Sequence, residues 1–254
     1  ALFTNPGDLE DDYAEAIQTH GADLANDSLG SNVELIGYVC SIQGDYGVMS
    51  QLVDAVVHGA LGVPFRCVWA NGNERIGGRC DVEGHGDYYS TSPPATAKNA
   101  LTVGALNSND DTLTSFTSFG PTDDGRLAPT LCAPGCQSNG DGGLTSTSAN
   151  SDTAYSVLCG TSMSAPVVTG IAALILQDCR AQFGGPDPRN ATLKALLAHT
   201  AAERGNVGPD YQFGYGSVRA KDALDLMRLH RPLEDALAEQ GARVRYTLTV
   251  APGD

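Results

Sequence analysis

The 254-residue sequence predicts an α/β fold, with a mostly parallel sheet flanked by helices. Three observations predict it. Helix-like and strand-like patterns alternate along the first half of the chain, which implies parallel strands joined by crossover helices. The strand-like runs FRCVWA (65–70) and ALTVGAL (100–106) lean apolar throughout, as strands covered on both faces do. Thirty glycines and thirteen prolines supply tight turns around such a core.

In chain order, residues 12–20 read as the end of an amphipathic helix, with Tyr13, Ala16 and Ile17 on one side. Residues 22–30 read as a short strand ending at Gly30. Residues 45–61 form a second helix, with Val48, Leu52, Ala55 and Val56 at the helical period; Gly62 and Pro64 break it. The strand 65–70 leads into Asn71-Gly72-Asn73, and a further strand covers 100–106. Residues 115–136 are rich in Gly, Pro and Ser and read as loops with short strands, and 138–151 as a polar, flexible surface insertion. Residues 162–179 form the most apolar helix; its apolar run, 167–176, is too short to cross a bilayer and reads as core. Residues 190–202 form another helix, with Asn190 as its cap. Asn190-Ala191-Thr192 also matches a glycosylation acceptor, a pattern short enough to arise by chance. Composition shifts near 231–232. Residues 243–250 then alternate strictly, with Val244, Tyr246, Leu248 and Val250 on one face, as in a half-buried strand. The expected division is one domain over 1–230, then a linker and the first strand of a further β domain over 231–254.

Apolar residues at 41% and charged residues at 18% place the chain among globular proteins. A net charge of −15 argues against a nucleic-acid partner, which needs clustered Lys and Arg, and is compatible with bound Ca²⁺. The acidic start, ALFTNPGDLEDD, lacks the basic region of a signal peptide, and no membrane span is expected. The seven cysteines show no paired zinc spacing. Cys67 with Cys80, and Cys136 with Cys159, each bracket a glycine-rich loop. Disulfides there would imply a secreted, oxidising context; buried free thiols are the alternative.

Chemistry concentrates at GTSMSAP, residues 160–166, where Ser162 stands among small residues at the mouth of an apolar helix. The helix N-terminus lies near the reacting oxygen, and the Ser162 N–H can meet a developing oxyanion. A serine hydroxyl becomes a nucleophile when a base takes its proton.

GTSMSAPVVTGIAALIL resembles the nucleophile motif of the subtilisin-like serine proteases, the subtilases. Other segments resemble the family in its own order: Asn26-Asp27-Ser28-Leu29-Gly30 its substrate-binding strand, Trp69-Ala70-Asn71-Gly72-Asn73 its oxyanion segment, SFTSFGP (115–121) and APG (133–135) its loops, and FGYGSVRA (213–220) its closing segment. Together they cover roughly residues 12–228. The resemblance implies a subtilisin-like three-layer fold and a secreted or extracellular serine endopeptidase acting on polypeptides through an acyl-enzyme. Ser162 would be the nucleophile and Asn73 the side-chain oxyanion donor. Ser28, Leu29, Gly30, Ala70, Asn71 and Gly72 would wall the pocket for the residue before the scissile bond, with Ser92 at its floor. The chemistry needs no cofactor; structural calcium is expected from the family, with no ligand named. Asp81, Glu83 and Asp87 could favour basic residues at that pocket, or form a solvated acidic loop.

The family's chain order is Asp, His, Ser. Only 27 residues precede Ser28, and they hold neither an Asp motif nor H-G-T-x-V-A-G. His20 lies eight positions before Ser28, and His58 and His85 lie after it; none is in the family's position. The sequence therefore resembles the later part of the catalytic domain, with its N-terminal part missing. A segment outside this chain would be the partner that carries the catalytic Asp and His. The alternatives are an inactive subtilase-fold binding protein and one subunit of a split protease.

Overall fold

Four short strands run parallel at the centre of the molecule, in the spatial order β1 (Ala25–Asp27), β2 (Cys67–Ala70), β3 (Leu101–Asn107), β4 (Leu131–Cys136). The computed structural model describes residues 8–33, 37–76, 80–138, 142–229, 233–235, 237 and 239–247. Asp27 stands beside Trp69, Trp69 beside Thr102, and Val103 beside Leu131. Beyond β4, Cys132 bridges to Ser217.

Alternation along β2 sorts its side chains into two cores. Val68 and Ala70 point to one face, where they pack with Leu101, Val103, Leu131 and Ala133 against the long helix α3 (Thr161–Phe183). Cys67 and Trp69 point to the other, against Val53, Val56 and Val57 of α2 (Val48–Val57) and Leu9 and Tyr13 of α1 (Leu9–Ala14). A π-helical turn, Glu15–Thr19, extends α1 and buries Ile17. Two later helices, α4 (Asn190–His199) and α5 (Ala220–Leu229), complete the α3 side with Leu193, Leu197, Ala223 and Met227. The result is three layers: helices, parallel sheet, helices. Helix α3 is long and apolar enough to cross a membrane by length and composition, yet it buries Ala165, Val168, Ala172, Ile175 and Leu176 against the sheet. The apolar run 167–176 is thus the middle of a 23-residue core helix.

Several expectations are corrected. Cys67 does not pair with Cys80. It lies on β2, inside the α1–α2 core, and Cys80 bonds Cys40 instead. Cys136–Cys159 forms as expected; Cys67, Cys132 and Cys179 are buried and form no disulfide. The stretch expected as a flexible insertion carries an antiparallel hairpin, β5 (Leu144–Thr147) with β6 (Tyr155–Leu158); residues 139–141 lie outside the described residues. Asn190 is the first residue of α4 rather than its cap. Its amide is buried and donates to the Asn99 carbonyl at 2.5 Å, which also removes it as a glycosylation acceptor. Of the strand expected at 243–250, residues 243–247 have no regular structure and 248–250 lie outside the described residues.

Candidate active site

The carboxyl ends of parallel strands are where α/β folds place ligands. Here β1 ends at Asp27, directly before Ser28, and β2 ends at Ala70, directly before Asn71-Gly72-Asn73. Between these ends and the N-terminus of α3 lies a cleft of about 310 Å³. Ser28, Leu29, Gly30, Ala70, Asn71, Gly72, Asn73, Ser92 and Ser162 all line it, so every site residue read from the sequence meets in one place. Ser31, Asn32, Glu74, Ala95 and Thr161 also line it and were not singled out in the sequence. Ser31, Glu74 and Thr161 directly follow or precede residues that were; Asn32 and Ala95 carried no distinguishing signal.

Ser162 is the second residue of α3. Its N–H belongs to the first turn, which has no intrahelical acceptors, and the helix dipole adds partial positive charge there. Its hydroxyl donates to the Ser28 carbonyl at 3.3 Å. In return, the Ser28 hydroxyl donates to the Ser162 carbonyl at 2.9 Å. That carbonyl is free because Pro166, four residues on, has no N–H to offer it.

Asn73 caps α3 from 88 residues away. The preceding Gly160 has no side chain to do so, and Asn73 Oδ1 accepts from the Thr161 N–H at 2.9 Å and the Thr161 hydroxyl at 3.0 Å. A backbone N–H can only donate, so this contact fixes which end of the amide is oxygen. The Nδ2 end has no partner among the described residues, and Asn73 lines the cleft. Gly72 adopts φ +114°, and a Cβ there would lie 2.7 Å from Ser118 Oγ, so no other residue fits the turn. Asn71 anchors the turn from beneath, donating to Ser118 O at 2.8 Å and Thr91 Oγ1 at 3.0 Å. Ser92 is buried at the cleft, its hydroxyl unpartnered. The Gly160 N–H donates to the Gly135 carbonyl at 2.9 Å, and the Cys136–Cys159 disulfide closes the same junction one residue further out.

No base reaches Ser162 among the described residues. His20 contacts Glu15, His58 contacts Asn99, and His85 stacks on Tyr89. The acidic loop stays out of the cleft lining: Asp87 pairs with Arg75 at 3.0 Å, and Asp81 accepts from the Gly86 N–H at 2.6 Å. The Glu83 side chain lies outside the described residues. Beneath Ser28, the Asp27 carboxyl is buried on the α1–α2 face, with Oδ2 unpartnered. Burial raises it to about 7, and the Tyr13 hydroxyl opposes that rise. Among the described residues no three His, Cys, Asp or Glu side chains converge as a metal site, so no calcium ligand is assigned.

Comparison with known proteins agrees with this geometry. The family model described as the subtilase family matches residues 4–216. The serine protease AprX of Bacillus subtilis (strain 168) is 32% identical over 150 residues, 54% of this chain and 32% of AprX. An extracellular serine protease of Serratia marcescens is 30% identical over 206 residues, 76% of this chain and 18% of that protein. The chain thus spans a third or less of the length of these curated relatives. Among solved structures, the prenylagaramide maturation protease PagA superposes with a TM-score of 0.63 at 20% identity, covering 89% of this chain and 69% of its own, which shows the fold. With a matching family model over most of its length and a subtilisin-like three-layer fold, the chain belongs to the subtilase family.

Proposed function

We propose that this chain is the nucleophile-bearing part of a secreted serine endopeptidase, with Ser162 forming the acyl-enzyme on a polypeptide substrate. The observation that carries the reading is the joint placement of Ser162 and Asn73: both line one cleft at the first turn of α3, with Asn73 Nδ2 unpartnered among the described residues. Ser162 Oγ attacks the scissile carbonyl carbon while a base takes its proton. The carbonyl oxygen becomes an oxyanion, received by Asn73 Nδ2 and the Ser162 N–H. The walls at 28–30 and 70–72, with Ser92 as floor, hold the side chain preceding the scissile bond. The base and its orienting Asp come from a segment outside this chain, so the chain by itself is practically inert. Two disulfides and an extracellular relative support secretion. Residues 231–254 lead into a further domain. Structural calcium remains a family expectation and takes no part in the steps.

A binding protein without catalysis, or a split enzyme whose partner supplies the histidine, are the alternative readings. Retention of Ser162 beside an Asn73 amide whose Nδ2 has no structural partner among the described residues favours catalysis, because the capping duty of Asn73 uses only its Oδ1. The test begins with the coding region upstream of Ala1. An Asp motif followed by H-G-T-x-V-A-G, and peptide hydrolysis by the joined protein that Ser162→Ala abolishes, is the expected result. Hydrolysis by the present chain alone that depends on Ser162, or hydrolysis by the joined protein that survives Ser162→Ala, overturns it.

A further inference from the structure

A second cavity, of about 200 Å³, lies behind the cleft, and Ala95 lines both. Three of the chain's fifteen basic residues converge on it, Lys98, Arg126 and Lys194, and no Asp or Glu is among the residues lining it. In a chain of net charge −15 this is an inversion of the prevailing field.

The three cations are only partly satisfied. Arg126 Nε contacts both carboxylate oxygens of Asp124 at 2.9 Å, while its Nη2 is buried with no hydrogen-bond partner. Lys194 Nζ donates to the carbonyls of Ala100 at 2.9 Å and Lys98 at 3.3 Å, which leaves one of its three N–H bonds free. Lys98 Nζ lies 4.7 Å over the Tyr46 ring and has no ion pair among the described residues. Asp54, whose charge acts on Lys194, already accepts from the Tyr46 hydroxyl and from the N–H groups of Lys98 and Asn99. Burial is the main cause that lowers Lys194 to about 8; Asp54 opposes it and Arg126 adds to it. Buried cationic donors without acceptors, here Arg126 Nη2 and Lys194, are costly, and an anion is the ligand that satisfies them together with the exposed Lys98.

We propose that this cavity binds a small oxyanion, phosphate or sulfate, between Arg126 Nη2, Lys98 Nζ and the free N–H of Lys194. The volume is below that of most sites for drug-sized ligands and suits a tetrahedral ion. The site neighbours the substrate cleft but shares none of its polar groups, so it stands or falls independently of the proteolytic reading.

The test is calorimetric titration of the 254-residue chain with inorganic phosphate and with sulfate, against chloride at matched ionic strength. Saturable binding of an oxyanion but not of chloride is expected. Lys98→Gln, exposed and without an ion pair, should weaken it roughly tenfold, and Arg126→Gln by tenfold or more. Lys221→Gln, on the exposed face of α5, should leave it unchanged. Affinity should fall as pH rises past about 8, where Lys194 loses its proton. Equal effects of chloride, or oxyanion binding that Lys98→Gln leaves intact, overturn the proposal. Lys98→Gln is the deciding variant, since the one side-chain contact it removes among the described residues is that of an exposed Nζ over the Tyr46 ring.

Discussion

Ser28 and Ser162, 134 residues apart, exchange hydrogen bonds: each hydroxyl donates to the other's backbone carbonyl, at 2.9 and 3.3 Å. One serine belongs to the wall of the cleft and the other is the proposed nucleophile, so the pair sets the distance between the substrate wall and the attacking oxygen. The exchange exists because Pro166 leaves the Ser162 carbonyl without a helical donor.

Ser28→Ala should therefore lower stability by about 1 kcal/mol, the worth of a partly buried hydrogen bond. In a Pro166→Ala background the restored helix N–H serves the Ser162 carbonyl, and the same substitution should cost measurably less. A double-mutant cycle by urea denaturation reads this coupling; strict additivity would show that the Ser28 hydroxyl does not serve that carbonyl.

Asn73→Leu, in the protein joined to its base-bearing segment, should lower turnover by roughly 10²–10³ with little change in KM, the size of loss seen for the corresponding donor in subtilisin itself. Because Asn73 Oδ1 also caps α3, Asn73→Asp separates the two duties. It keeps the acceptor for Thr161 and loses the donor, so its stability should stay closer to that of the parent than the leucine variant's while its turnover falls as far. Near-normal turnover in either variant would remove Asn73 from the oxyanion role.

Asp27 should make the fold less stable as pH rises. Its folded-state carboxyl is raised from 3.8 to about 7 by burial, so the folded chain holds a proton that the unfolded chain has released. Its contribution is fully present below about pH 4 and is lost as pH climbs through 7, at up to about 1.4 kcal/mol per pH unit. Asp111, Asp124, Asp178 and Asp187, held low chiefly by arginine partners or by hydrogen bonds, act in the opposite direction and below that window. The measurement is the difference in unfolding free energy between the parent and Asp27→Asn from pH 4 to 8. A flat difference would mean that Asp27 is ionised in the fold.

Peptide mapping without reductant should recover Cys40 linked to Cys80 and Cys136 linked to Cys159, with the other three thiols alkylated only after unfolding. Cys136→Ser with Cys159→Ser should cost about 3 kcal/mol by the chain-entropy argument for a loop of this length. The loss should be accompanied by faster amide exchange at Gly160, whose N–H the disulfide secures. Recovery of a Cys67–Cys80 peptide would contradict the buried position of Cys67 on β2.

The parts of the fold and site that could be read from sequence are those written in contiguous residues. FRCVWA contains its strand and GTSMSAPVVTG its helix, because apolar runs and small-residue motifs are local. The cleft could be read for the same reason, since its walls are two strand ends and a helix start, each marked by its own motif. What could not be read depends on distant contacts. Cys80 finds Cys40 because the chain between β1 and α2 brings it there, and nothing near Cys80 records that approach. Asn190 has a capping residue's chemistry, but Asn99, 91 residues earlier, takes its amide. The cationic cavity gathers Lys98, Arg126 and Lys194 from three separate segments, and Glu74 enters the cleft only because Gly72 turns the chain into it.

The cap on α3 has a consequence for what the site depends on. A helix that carried its own cap could form its first turn early and present Ser162 while the rest of the chain was still open. Here the first turn is completed by Asn73 and steadied by Ser28, residues held at the ends of the paired strands β2 and β1. The geometry at Ser162 therefore depends on the paired sheet: with β1 and β2 apart, the serine has neither the Ser28 contact nor the Asn73 amide beside it.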